Sequence, residues 1–305
     1  MASMITMFLQ SAYSMIDGLF VSNLIGDTAL SAVNVAWPVI AVVTAIGTGV
    51  GCGGAVMMST KQGEGKNEES NIVRANVILA LLASSIVVTI LFLVLLTPLL
   101  KLMGAEGELL RLSQIYGRVM LTGGVLQILS CGLTPLLRND NRAVSAMMIM
   151  VGGLFANLGL DFVFMYVFHM GIGGAAGASL CAQLFTTVCC LMILCTKKTD
   201  PIRLSQFMIR KEYWKKIFKT AVSPFGISLT PSLLILYHNV ACLKFGGDLA
   251  VNAYALISST VGSYRVLLIG VAEGIQPLAS YAYGAHDFHA IRKIRNKAVI
   301  TAIGV

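Results

Sequence analysis

Long apolar blocks separated by short polar connections set the pattern of this chain. A helix needs about 20 mostly apolar residues to cross a bilayer. Blocks of that length lie near 1–24, 30–58, 75–98, 113–136, 143–168, 173–196, 221–245 and 249–280, and a ninth begins near 298. Pro38, Pro98, Pro135, Pro224, Pro231 and Pro277 fall in or at the ends of these blocks, which membrane helices tolerate. The first block is too long for a signal-peptide core, so it reads as a span.

The polar connections orient the spans. Lys61, Lys66 and Arg74 mark one connection, Arg138 and Arg142 the next basic one. Lys197 to Lys219 hold eight more, and Arg292, Lys293, Arg295 and Lys297 the last. These alternate connections hold 17 of the 22 Lys and Arg. They therefore share one side, and the positive-inside rule makes it cytoplasmic, with the N-terminus. Residues 197–219, KKTDPIRLSQFMIRKEYWKKIFK, form the longest connection. Tyr213, Trp214, Ile217 and Phe218 among lysines make its second half amphipathic, expected on the inner membrane surface.

Composition agrees. The chain is 56% hydrophobic and 12% charged, with a mean hydropathy of +0.81, whereas soluble domains are about 25% charged. The net charge of +8 reflects topology. No aromatic-studded basic patch points to nucleic acid. The seven cysteines fall in apolar segments without zinc-like spacing. His286 and His289 lie in an expected basic loop, and HxxH alone is a weak metal signal.

The two sides of the long connection resemble each other. An offset of 221 carries Gly26-Asp27 onto Gly247-Asp248, Ala29 onto Ala250 and Ala32 onto Ala253. Without a gap it also carries Gly49-Val50 onto Gly270-Val271, Gly53 onto Gly274, Ser59 onto Ser280 and Gly63 onto Gly284. Six spans precede the divide, so both halves insert in the same orientation, related by an axis along the membrane normal. The expected fold is all-α: a polytopic membrane protein of two six-helix lobes with a pseudo-two-fold axis, the second lobe incomplete here. The N-terminal lobe is 1–196, the linker 197–219, and the partial C-terminal lobe 220–305.

Acids deep in apolar spans are costly, about 2.5–3.5 kcal/mol each on insertion scales, and are kept where something compensates. Three qualify: Asp17, Asp161 and Glu273. Asn157 and Asp161 are four apart and share a helix face. At about 1.5 Å per residue, Asp17 and Asp161 lie about 24 and 27 Å above the cytoplasmic ends of their spans. Tyr116 and Ser179 lie near the outer ends of theirs. Two carboxylates, an amide oxygen and hydroxyls at one depth suit a small hard cation or a shared proton; Tyr116 and Ser179 taken singly also suit interhelical hydrogen bonding. In the second lobe, Glu273 is placed to reach a water-filled vestibule, with Arg265 as a candidate partner. His238 stands where the repeat places Asp17, either as an ionisable group of that lobe or as a hydrogen-bonded core histidine.

YSMIDGLFVSNLIGDTALSAV, NLGLDFVF and GIGGAAGAS resemble the first, fifth and sixth helices of multidrug and toxic compound extrusion (MATE) transporters. GVAEGIQPLASYAYGA resembles that family's eighth-helix signature. The resemblance implies a non-enzymatic antiporter of the plasma membrane, exporting small organic, often cationic, compounds in exchange for Na⁺ or H⁺. It implies no cofactor beyond that ion, and a monomer in the bilayer. It carries the cation site onto Asp17, Asn157, Asp161, Tyr116 and Ser179, where threonine is more usual, and Ala175 onto a position offering a backbone carbonyl. The residues usually ahead of Asp17 and helices nine to twelve have no counterpart here, so a fragment is expected. Two rivals are a lipid or lipid-linked sugar flippase, which calls for a large basic cavity, and an intramembrane aspartyl protease. The latter resembles a YD plus GxGD pair, which Ile16-Asp17 and Gly159-Leu160-Asp161 do not match. A structural scaffold would leave the clustered carboxylates unexplained.

Overall fold

The computed structural model describes residues 6, 7, 9, 25–195, 206, 207 and 209–304. Among these residues the regular structure is helical: α1 (Asp27–Gly63), α2 (Asn67–Leu102), α3 (Gly107–Thr122), α4 (Gly124–Asn139), α5 (Ala143–Asp161), α6 (Gly171–Cys195), α7 (Lys211–Gly284) and α8 (Phe288–Ile303). Four stretches are long and apolar enough to cross a membrane: Thr28–Gly63, Asn67–Leu102, Ala143–Val167 and Gly171–Cys195. They answer to the second, third, fifth and sixth expected spans. The first expected span lies almost wholly outside the described residues.

The fourth span differs from expectation. It begins at Gly107 and is two helices, α3 and α4, bent by 57° around Gly123. A bend leaves backbone carbonyls to be satisfied. The fully buried Gln127 does this from across the break, its side-chain amide donating to the Met120 carbonyl at 2.7 Å. Leu180 of α6 fills the space where Gly123 has no side chain.

Helix α1 is the centre of the molecule because it carries two glycine faces. Gly47 and Gly51, one turn apart, lie against the backbone of Ile128 and Gly132 on α4; a Cβ on Gly47 would stand 2.7 Å from the Ile128 carbonyl oxygen. Gly49 and Gly53 face the other way, against Ala221 and Phe225 of α7. Small residues at four-residue spacing let membrane helices pack backbone to backbone, where dispersion replaces a missing hydrophobic drive. The first face builds the N-terminal lobe; the second joins the lobes.

The expected seventh and eighth spans and the second half of the linker form one helical run, α7. It is not straight. The rings of His238 and Tyr254 stack at 4.9 Å, whereas 16 residues of straight helix span about 24 Å. Ala221 lies against Gly53 and Tyr281 against Gly63, on one neighbouring helix. The run therefore folds back, with both limbs along α1. Residues 211–219 are its first turns rather than a helix lying on the membrane. Ile217 is fully buried in the N-terminal-lobe core, and Tyr213 and Trp214 pack against that core. The Arg210 backbone N–H donates to Asn76 Oδ1 at 3.1 Å. Ile217, Tyr213 and Trp214 of the amphipathic segment thus meet protein, while Phe218 stays 40% exposed. The ninth span is also corrected: α8 starts at Phe288, so Arg292, Lys293, Arg295 and Lys297 are on a helix, not in a loop.

The repeat appears as a contact. At one end of the seam, Gly63 lies against the Tyr281 carbonyl and Gly284 against the Thr60 carbonyl. The offset of 221 carries Thr60 onto Tyr281 and Gly63 onto Gly284. A contact that maps onto itself when the halves are exchanged is what a two-fold axis produces.

Candidate functional site

Helix α5 raises Asn157 and Asp161 through the membrane. Its 19 residues span about 27 Å, ending at Asp161. Gly152 and Gly153 admit Phe185 and Thr186 of α6 against its backbone. Asp161 is fully buried and Asn157 nearly so. The Asn157 side-chain amide donates to Asp161 Oδ2 at 3.0 Å, the one-turn pairing that their spacing predicts.

Beyond Asp161 the helix widens into a π-helical segment, Phe162–Val167. The Phe168 N–H donates to the Val163 carbonyl at 3.0 Å, and Phe162 stacks on Tyr166 with centroids 5.0 Å apart. Such widenings concentrate at functional sites because the extra residue re-aims the side chains after it. Here the segment turns Met165 inward, 4% exposed, beside a buried acid.

Tyr116 is buried on α3. Its neighbour Ile115 packs where α6 begins, 3.8 Å from a Cβ placed on Gly173. Ala175 is buried two residues further on, and Ser179, one turn along α6, is half-buried. Asp17 lies outside the described residues. The structure thus joins Asn157 directly to Asp161 and sets Tyr116 and Ala175 in the hydrophobic core of the lobe.

The second-lobe residues separate. The His238 ring nitrogen Nδ1 bonds the Leu234 carbonyl at 2.8 Å within its own helix, and the side chain is exposed among the described residues. Arg265 is exposed as well. Glu273 pairs not with Arg265 but with Arg138 of α4. Its carboxylate faces α4 across the seam, where the Arg138 side chain is 6% exposed.

A second buried ion pair escaped the sequence reading. Arg74 Nη1 and Asp140 Oδ2 lie 3.4 Å apart, both side chains 1% exposed. Gln62 donates to Asp140 Oδ1 at 3.2 Å, and Arg74 donates to Asn71. The sequence places Arg74 and Arg138 in polar connections, whereas both are buried on helices α2 and α4. The signal that marks them is local: Asp140 follows Arg138 by two residues, and Arg74 has polar Asn71 and Asn76 on the same apolar-to-polar boundary.

The MatE family model matches residues 2–167 and 227–305. The chain belongs to the MATE family. It is similar to the multidrug export protein MepA of Staphylococcus aureus strain N315, 26% identical over 99% of this chain and 66% of the relative. The Staphylococcus saprophyticus MepA is 24% identical over 92% of this chain and 62% of its own length. Among solved structures, the outward-facing conformation of a multidrug resistance MATE family transporter superposes with a TM-score of 0.92. Its identity is 27%, over 98% of this chain and 67% of that one. A MATE in complex with MaL6 superposes equally well, with a TM-score of 0.92 at 26% identity over 98% and 67%. A third neighbour, a MOP superfamily transporter from Pyrococcus furiosus, gives a TM-score of 0.92 at 26% identity over 98% and 67%; its binding-pocket polarity is described as suggesting a different function. The chain spans about two thirds of the length of these relatives. It is an all-α, multi-pass membrane protein with the two-lobe MATE arrangement, and its relatives are transporters rather than enzymes.

Proposed function

We propose that the intact protein exports small organic, often cationic, compounds, driven by exchange for Na⁺ or H⁺ at Asp17, Asn157 and Asp161. Tyr116, Ser179 and the Ala175 carbonyl complete the oxygen-rich wall. One observation carries the reading: a fully buried carboxylate, bonded by a neighbouring amide, on a helix long and apolar enough to span the membrane. An amide has no net charge, so it orients Asp161 without neutralising it. A bound cation or a proton does neutralise it, and that changes the hydrogen bonds available where α5 turns into its π-helical segment. Export follows if ion and drug favour different states of one lobe. Relatives described as multidrug export proteins support the substrate class. The reading places a monomer in the plasma membrane with its basic loops in the cytoplasm.

The test is efflux by the intact protein in vesicles, with Na⁺ and pH gradients varied separately. The expected result is drug export that follows one of the two gradients and is lost with Asp161→Asn. Export by the variant that still tracks the same gradient would remove Asp161 from coupling.

A further inference from the structure

We infer that Arg138 and Glu273 form a latch across the seam between the lobes. The pair holds the cytoplasmic side shut and must part whenever that side opens.

The pair joins elements from different lobes, α4 and the return limb of α7. Around it the seam is made of backbone. The Ser59 hydroxyl donates to the Pro277 carbonyl at 3.1 Å. Gly63 and Gly284 cross carbonyl to α-carbon in the reciprocal contact described above. Gly53 and Gly49 continue the contact upward against Ala221 and Phe225. There it stops. A side chain added at Gly226, one residue beyond Phe225, or at Gly262 on the return limb would meet nothing within 4 Å. The close backbone contact made by these glycines lies below that level, and Arg138–Glu273 is an ion pair that bridges the lobes beside it.

Glycine crossings and one hydroxyl bond give close fit but little directional hold, because their dispersion contacts are individually small. An ion pair supplies hold of another kind. Both side chains are largely desolvated, 6% and 19% exposed. Separating them while the seam stays closed would strand a guanidinium in apolar surroundings, which is strongly unfavourable. Separating them as the seam opens lets water take each charge. The pair therefore couples its own rupture to opening of the seam, and a glycine crossing without side chains can roll underneath it. Cys52 reports on this event. The offset of 221 carries it onto Glu273, and it lies on α1 between Gly51 and Gly53, 6% exposed.

The experiment measures thiol modification from the cytoplasmic face in inside-out vesicles holding the intact protein, with Cys52 as its sole cysteine. It compares the parent, Glu273→Gln, and the double exchange Arg138→Glu with Glu273→Arg. Glu273→Gln is expected to raise the modification rate of Cys52 about five-fold or more, the lower end of ordinary coupling between sites. The double exchange is expected to return the rate toward that of the parent. A parallel set keeps Cys190, fully buried within the N-terminal lobe, and its rate is expected to stay flat. An unchanged Cys52 rate in Glu273→Gln overturns the latch. So does a double exchange no slower than the single variant, or Cys190 rising in step with Cys52, which would mean a loosened fold. The inference rests on the export reading only in that transport requires the seam to open. Labelling needs neither drug nor ion gradient, so the two fail separately.

Discussion

Charge is buried in two parts of this membrane protein, and the two parts treat it differently. At the C-terminal end of α5, Asp161 is bonded by the Asn157 amide. Elsewhere, Asp140 faces Arg74 and Glu273 faces Arg138. An acid paired with a guanidinium is electrostatically complete, and taking either partner away strands a charge. An acid bonded by an amide is oriented by a group that carries no charge of its own. The arginine pairs are built to hold a shape, and Asp161 is the acid that the proposed export asks to change state.

The sharpest way to break the comparison is to neutralise both kinds of acid conservatively. Asp161→Asn should abolish ion-driven efflux by the intact protein, at least ten-fold by vesicle assay. It should also leave thermal unfolding in detergent nearly unchanged, because an amide still bonds Asn157. A variant that keeps efflux but loses stability would put Asp161 with the structural acids. The next largest effect is on stability. Arg74→Ala takes the guanidinium from a buried Asp140, and loss of one partner of a buried pair costs about 3–5 kcal/mol. A denaturation midpoint equal to that of the parent would show that water reaches the pair.

Packing should matter less than charge but remain measurable. A methyl on Gly51 runs into the backbone of Gly132, so Gly51→Ala should cost about 1–3 kcal/mol, the usual range for overpacking. Gly226→Ala, facing open space, should cost far less in the same unfolding assay. The smallest effect belongs to the surface. Lys61 and Lys66, at 2.9 and 3.0 Å, hold the Glu64 carboxyl below the ordinary carboxylate range. The stabilisation is full above the unfolded-state value and is lost as pH falls through the lowered folded value. Glu64→Gln should cost under about 1 kcal/mol at pH 7. That difference should vanish in melts taken well below the ordinary carboxylate range.

Several features were legible without coordinates. The second, third, fifth and sixth spans answer to apolar length alone, because in a bilayer every backbone group must bond within its own helix. The Asn157–Asp161 bond followed from four-residue spacing. The glycine repeat pointed to the crossing of Gly63 and Gly284, although nothing in it said that the two would touch. The bend at Gly123 was not legible, since one glycine among many does not announce a break that Gln127 repairs from four residues beyond. Nor was the partner of Glu273. Arg265 is eight residues away along the chain, Arg138 more than a hundred, and proximity in sequence favoured the wrong one.

The amino-acid order alone determined that this chain is a bundle of membrane helices and that its halves repeat. Those properties depend on local length, spacing and composition. Only the folded molecule decided which acid met which base, where α7 doubled back, and how far up the lobes touch. Such choices depend on side chains brought together from distant segments, and their energies exist only once the helices have packed.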